Sequence, residues 1–213
     1  MMGRIFLPAI ICLMVAMPSR ADDFGFLKGI TASAGGGFTF PVGRIANHTR
    51  PGFNFTAEAG PRFDRFTLTL DFTLHYSSVK NSFHDPNSTI DISNGSIVRI
   101  WSFALNPGYH FIKQESFSSY VSGGYGVYNR TLLVGSFAPV PVAACDEFWD
   151  VCVSNIPGIP GSGDGTITKG GYNVGGGVTF GAATKFFIDV RYHHMFTPRS
   201  PTELIPVTFG VRW

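Results

Sequence analysis

The chain has 213 residues, with 16 basic and 14 acidic side chains, a net charge of +2, and 14% charged residues against 44% hydrophobic and 15% aromatic ones. So even a charge balance argues against a nucleic-acid partner, which needs a basic face. Beyond the N terminus no stretch approaches the roughly 20 apolar residues of a membrane-spanning helix, so any bilayer crossing must be made by strands.

Residues 1–21 read as a signal peptide. Arg4 supplies the positive n-region, Ile5 to Met17 the apolar h-region, and Ser19-Arg20-Ala21 a small-x-small cleavage site. The apolar run is too short to cross a bilayer as a helix. Cys12 lies inside the h-region, so no lipobox cysteine marks the cleavage point. Removing 21 of the 213 residues leaves 192, enough for one domain over 22–213. It also removes Arg4 and Arg20, which brings the 16 basic residues to 14 and the formal charge to zero. Cys145 and Cys152 then remain, an even count in a secreted chain, which points to a disulfide.

The elements that follow are strands. The first, 29–42, alternates Ile30, Ala32, Ala34, Phe38 and Phe40 with Thr31, Ser33 and Thr39, and the run Gly35 to Gly37 permits close packing and bending. The second, 53–62, puts Phe53, Phe55, Ala57 and Ala59 opposite Asn54, Thr56 and Glu58, with a turn near Pro61 to Arg65. The third, 66–76, alternates most cleanly, with Phe66, Leu68, Leu70, Phe72, Leu74 and Tyr76 opposite Thr67, Thr69, Asp71, Thr73 and His75. After a polar loop over 77–96, the fourth, 97–111, carries Trp101, Phe103, Leu105, Tyr109 and Phe111 on one parity. Its Pro107 needs a place without a ladder donor, near the strand end. The fifth is 118–130. A loop over 131–168 holds both cysteines, and the sixth and seventh strands are 169–180 and 185–196. After a short loop, 197–203, the chain ends in LIPVTFGVRW. There Ile205, Val207, Phe209, Val211 and Trp213 share one parity, and Pro206, Thr208, Gly210 and Arg212 the other.

Eight strands joined by connections that alternate long and short predict an all-β fold, an eight-stranded antiparallel up-and-down transmembrane β-barrel. The alternating, aromatic-terminated ending resembles the C-terminal signal of bacterial outer-membrane barrels. The strands SYVSGGYGVY, YNVGGGVTF and RYHHMF extend the likeness over essentially all of 24–213. The chain resembles the OmpA-like and opacity-like small outer-membrane barrels, without a peptidoglycan-binding domain. That resemblance implies that the last strand closes against the first. It also implies that Phe209, Val211 and Trp213 are read by the barrel-assembly machinery, and that outer-membrane lipid and lipopolysaccharide surround a monomer in a Gram-negative-type outer membrane. The structural rival is a soluble barrel of the lipocalin type, whose outer face would need Lys and Glu. Here the polar face is mostly Thr, Ser, Gly and Asn.

The charges on the polar parity, Glu58, Asp71, Asp189, Arg191 and Arg212, are expected to point inward. Eight strands enclose only enough room for side chains, so they form an interior salt-bridge network, or alternatively a proton or ion path. His193 and His194 point to opposite faces and do not share a metal. The lipid A deacylases of this fold place a serine two residues after the histidine. Here Met195 follows His193 at that spacing and Phe196 follows His194, while Ser200 and Glu203 fall in the next loop. No enzyme, cofactor or metal is therefore expected. Function reduces to a rigid barrel presenting loops to an extracellular surface partner, with a barrel for a small or hydrophobic ligand as the alternative. The segment Cys145 to Cys152 holds Phe148 and Trp149 beside Asp146, Glu147 and Asp150. Aromatics fixed near charges are typical interface anchors. The same hairpin could instead shield the loop, pack its aromatics on the barrel rim, or offer three carboxylates to calcium.

Overall fold

The computed structural model describes residues 29–80, 96–133, 144–146, 148–149, 151–153, 164–182, 184–198 and 200–213. The expected leader, 1–21, lies outside the described residues. The strands are β1 Ile30–Val42, β2 Gly52–Phe63, β3 Phe66–Ser78, β4 Ile97–Lys113 and β5 Phe117–Leu133. A small hairpin follows, β6 Ala144–Asp146 and β7 Val151–Val153, and then β8 Asp164–Phe180, β9 Lys185–Met195 and β10 Thr202–Arg212. The eight long strands close into one antiparallel barrel in which each pairs with its chain neighbour, β5 with β8, and β10 with β1.

Closure sets the register of a last strand that has no later turn to fix it. β1 and β10 pair from Ser33↔Arg212 to Val42↔Glu203, and β9 holds the other side of β10 from Lys185 to Met195. Register matters here because a one-residue slip would turn every side chain to the opposite face. On β3, Phe66 is 61% exposed and Leu70 55%, whereas Asp71 and His75 are each 2% exposed. Phe38, Phe53, Phe103, Leu105, Tyr125 and Phe209 are likewise exposed on their strands. This wall is apolar outside and polar inside, the reverse of a soluble barrel, and suits hydrocarbon rather than water.

A closed barrel has no edge strand, so its prolines need another solution. Pro107 sits well inside β4 rather than near its end. The β4–β5 ladder breaks there, between Leu105↔Tyr125 and Gly108↔Ser122. The β2–β3 ladder skips Pro61 in the same way, and the β10–β9 ladder skips Pro206. Pro61 therefore lies within β2, and the turn is only Asp64-Arg65, closed by Phe63↔Phe66. Asp64 takes φ 51°, a left-handed conformation that Asp tolerates better than most residues.

The expected loop 131–168 is shorter than the sequence implies. β5 runs on to Leu133 and β8 starts at Asp164, paired Leu133↔Asp164, so the barrel wall rises further on this side. The expected loop 197–203 also yields its last two residues to β10. A 3-10 turn, Gly43–Asn47, follows β1 and buries Ile45 over the barrel mouth. Gly43 takes φ 62° against the Glu203 carboxylate, where a Cβ would collide.

Candidate functional site in the barrel interior and at its mouth

From the turn end to the loop end the interior is filled in layers. At the turn end, Arg62, His110, Lys113, Lys185 and Arg212 line an open vestibule of ≈ 360 Å³. Outside it, Lys113 Nζ lies 2.7 Å from Asp64 Oδ1. That hydrogen-bonded ammonium holds the Asp64 carboxyl below its ordinary range.

The next layer holds the five charges. Arg191 reaches three carboxylates on three strands: Asp189 Oδ1 at 2.9 Å, Glu58 Oε2 at 3.3 Å, and Asp71. Arg212 bonds the other oxygen of Glu58 and lies 4.6 Å over the ring of Tyr120. Tyr120 in turn donates to Asp189 Oδ2 at 2.7 Å. Ser33 donates to Glu58 at 2.6 Å, Thr73 to Asp71 at 2.9 Å and Asn106 to Asp71 at 3.2 Å. All five charged residues are buried. Charges taken out of water need such partners, and this layer supplies them across the whole barrel section. Room comes from β8. A Cβ at Gly175 would strike the Arg191 side chain, and one at Gly171 would strike the ring of Tyr128.

Above the charges lies a neutral polar layer. Thr39 Oγ1 is 2.8 Å from His75 Nδ1, and Tyr128 OH is 3.2 Å from His193 Nδ1. The two imidazoles meet edge to face at 5.4 Å. His193 thus faces the interior. His194 faces out, stacked on Tyr172 at 4.9 Å.

The loop end is closed by an apolar cluster of Ile45, Val79, Val98, Ile100, Leu132, Trp149, Met195 and Leu204, with Tyr128 beneath it. Its largest member comes from the hairpin. Trp149 is 1% exposed, Arg130 Nη2 donates to its carbonyl at 2.8 Å, and the Arg130 guanidinium lies 5.4 Å over its ring. Phe148 stacks on His48 at 3.7 Å. Of the sequence readings, an outward anchor or aromatics packed on the barrel rim, this placement matches the second. Trp149 packs into the mouth because an indole gains far more from that apolar layer than from water. Asp146 lies in β6 opposite Val151, and Cys145 is opposite Cys152 in the register. Glu147 and Asp150 lie outside the described residues, as do the cysteine side chains.

Two further placements differ from the sequence reading. Glu203 is not a loop residue but sits directly opposite His194; Tyr192 OH donates to it at 2.5 Å, and His194 Nδ1 lies 3.5 Å from the same oxygen. A carboxylate and an imidazole therefore meet on the outer wall. The position that would carry a nucleophile on that face, two residues after His194, is Phe196, and Ser200 is buried elsewhere. Phe209 and Val211 lie on the closing strand, and Trp213, one residue past its end, is bonded through its backbone to Ala32.

Sequence reasoning missed Tyr120, Tyr128 and Arg130, which share the inward parity of β5, and the apolar plug. The signal for the plug was a loss of alternation at the loop-side strand ends. There both neighbours are apolar, as at Leu132-Leu133, Met195-Phe196 and Leu204-Ile205.

The closed eight-stranded wall, its apolar exterior and its packed polar interior define the fold of the small outer-membrane barrels. The chain resembles Neisserial surface protein A, at 14% identity and TM-score 0.55, over 86% of this chain and 96% of that one. It also matches the N-terminal β-barrel domain of Pseudomonas aeruginosa OprF, at 13% identity and TM-score 0.45, over 87% and 98%. The attachment invasion locus protein Ail of Yersinia pestis matches at 13% identity and TM-score 0.44, over 86% and 98%. No protein-family model matches the sequence, and no curated protein sequence does.

Proposed function

We propose that this is an outer-membrane protein of a Gram-negative-type envelope, exported by its N-terminal leader. It acts as a monomeric, non-enzymatic barrel that presents its loop end to a partner outside the cell. The observation that carries this reading is the filling of the interior. Charged, neutral polar and apolar layers occupy successive sections, so the barrel is a packed support and not a pore. Function then falls to the loops, as it does on other rigid scaffolds. The name of Neisserial surface protein A puts a barrel of this fold at a cell surface. The outward His194–Glu203 pair has Phe196, not a serine, two residues after the histidine, and the hydroxyl it does meet is the Tyr192 phenol, which favours the non-enzymatic reading.

In planar bilayers the purified protein should give no large, steady conductance. Cells carrying the barrel with 134–163 deleted should lose adhesion to cultured-cell or matrix surfaces that the parent binds, at equal surface levels of the two proteins. A porin-sized current, or unchanged adhesion after the deletion, would refute the platform.

A second reading has its own observation. Trp149 fills an apolar layer at the mouth that a hydrophobic ligand could enter if the hairpin withdrew.

We also propose that Cys145 and Cys152, opposite one another in the β6–β7 register, are bridged. Closing so short a loop is worth roughly 2–3 kcal/mol in the chain-entropy model. Alkylation of the denatured, unreduced protein should label neither cysteine, and labelling of both would remove the bridge.

A further inference from the structure

The outer wall of β3 and β4 carries a groove of ≈ 400 Å³ lined by Phe72, Leu74, Tyr76, Arg99, Trp101 and Phe103. Its walls are three consecutive cross-strand pairs on the lipid-facing parity: Phe72↔Phe103, Leu74↔Trp101 and Tyr76↔Arg99. Leu74 is the one aliphatic side chain among four aromatic ones, Phe72, Tyr76, Trp101 and Phe103, and it leaves the depression between the rings. The groove is therefore apolar along its length and cationic at one end. That end is the loop end, because Arg99 is the third residue of β4 and Tyr76 is two residues from the close of β3.

Arg99 distinguishes this groove from ordinary lipid-facing wall. It is half-buried on the apolar face, and its buried Nε has no hydrogen-bond partner among the described residues. No carboxylate forms an ion pair with it among the described residues, whereas Arg191 and Arg212 are both paired. A guanidinium facing hydrocarbon is costly unless an anion meets it. None of the described residues supplies one, which points to an anion from the surroundings. Its place narrows the choice. From residue 72 to residue 76 the groove runs about 13 Å along the strand, which is about half of the ~25 Å apolar band of an outer-membrane barrel. It spans one leaflet, with its charge at the loop-side surface. Arg50 is exposed at the same end, its amide bonded to Ser78 across from Arg99's side of β3.

We propose that this groove is a lipid A site, with one acyl chain along Leu74 and Trp101 and a phosphate of the same molecule on Arg99. The assignment rests on the outer-membrane reading above, in which the loop-side leaflet is the one built of lipopolysaccharide. The planar guanidinium fork suits a phosphate better than an ammonium does. A phospholipid of the opposite leaflet would bring its phosphate to the wrong end.

The test uses the full barrel refolded in neutral detergent, with folding checked by its gel shift on boiling. The parent, Arg99→Gln, Arg99→Lys and Leu74→Trp are titrated with lipid A, dephosphorylated lipid A and phosphatidylglycerol, and bound lipid is read by native mass spectrometry. The parent should prefer lipid A. Arg99→Gln should weaken lipid A binding on the order of tenfold, as expected for loss of a charged hydrogen bond, and leave the dephosphorylated lipid unaffected. Arg99→Lys should recover part of the loss. Leu74→Trp, which fills the groove from the lipid side and leaves the interior untouched, should reduce binding of both forms. Equal lipid A binding by the parent and Arg99→Gln would overturn the site, as would equal affinity for phosphatidylglycerol. A parent that shows no gel shift and no β-barrel spectrum would instead sink the outer-membrane reading, and the site with it.

Discussion

Arg191→Ala is expected to lower the stability of the folded barrel by about 3–5 kcal/mol, the cost of breaking a buried ion pair by removing one partner. The expectation follows from what the substitution leaves behind. Arg191 bonds Asp189, Asp71 and Glu58, and of these only Glu58 keeps a guanidinium, that of Arg212. Asp71 would retain Thr73 and Asn106 as donors, and Asp189 would retain Tyr120, none of them charged. Burial of all three acids leaves little water to take over. Arg191→Lys should recover part of the loss, because an ammonium restores the charge but not the fork that reaches three carboxylates. Urea unfolding of the barrel in lipid vesicles, followed by circular dichroism, reads the effect directly. A midpoint equal to the parent's would mean that the network contributes nothing net to the fold.

Trp149→Ala is the second large effect, and it should fall on a different part of the molecule. Emptying a buried indole site costs about 3–5 kcal/mol where the surroundings do not collapse. Here Trp149 joins the hairpin to the mouth through Ile45, Val98, Leu132 and Leu204, with Arg130 over its ring. The barrel ladders below do not depend on it. The loss should therefore appear as local opening of the hairpin rather than unfolding of the wall. Limited proteolysis should cut within 134–163 at much lower protease concentration, while the thermal transition of the barrel stays within a few degrees of the parent's. An unchanged cleavage pattern would contradict the docked position. Loss of adhesion without a change in cleavage would restore Trp149 as an outward anchor.

The sequence carries the strand pattern in plain form because alternation is a local property. Phe66 to Tyr76 declares its two faces without reference to any other strand. Other features had no local signature. The effect of Pro107 depends on the gap opposite it in β5. The purpose of Gly175 depends on Arg191, whose side chain passes where a Cβ would be. Glu203 reads as a loop residue until β9 is laid beside it and His194 appears opposite. Trp149 is ambiguous in the sequence for a related reason. A large aromatic among acids in a long loop has the composition of an interface anchor, and only the apolar mouth shows where it goes.

By itself the sequence determined the all-β class, eight barrel strands, and which parity of each strand is apolar, because these follow from side-chain type at a spacing of two along one segment. It also placed Glu58, Asp71, Asp189, Arg191 and Arg212 on the polar parity, since parity is inherited from the strand. Only the tertiary structure decided which guanidinium meets which carboxylate. Closure alone aligns β2, β3, β9 and β10 around one section of the barrel. The structure likewise decided that the mouth is sealed by Trp149 and that Arg99 lies on the outer, apolar face with no ion pair among the described residues. Those outcomes depend on contacts between residues far apart in the chain, and no local pattern encodes a distance across the barrel.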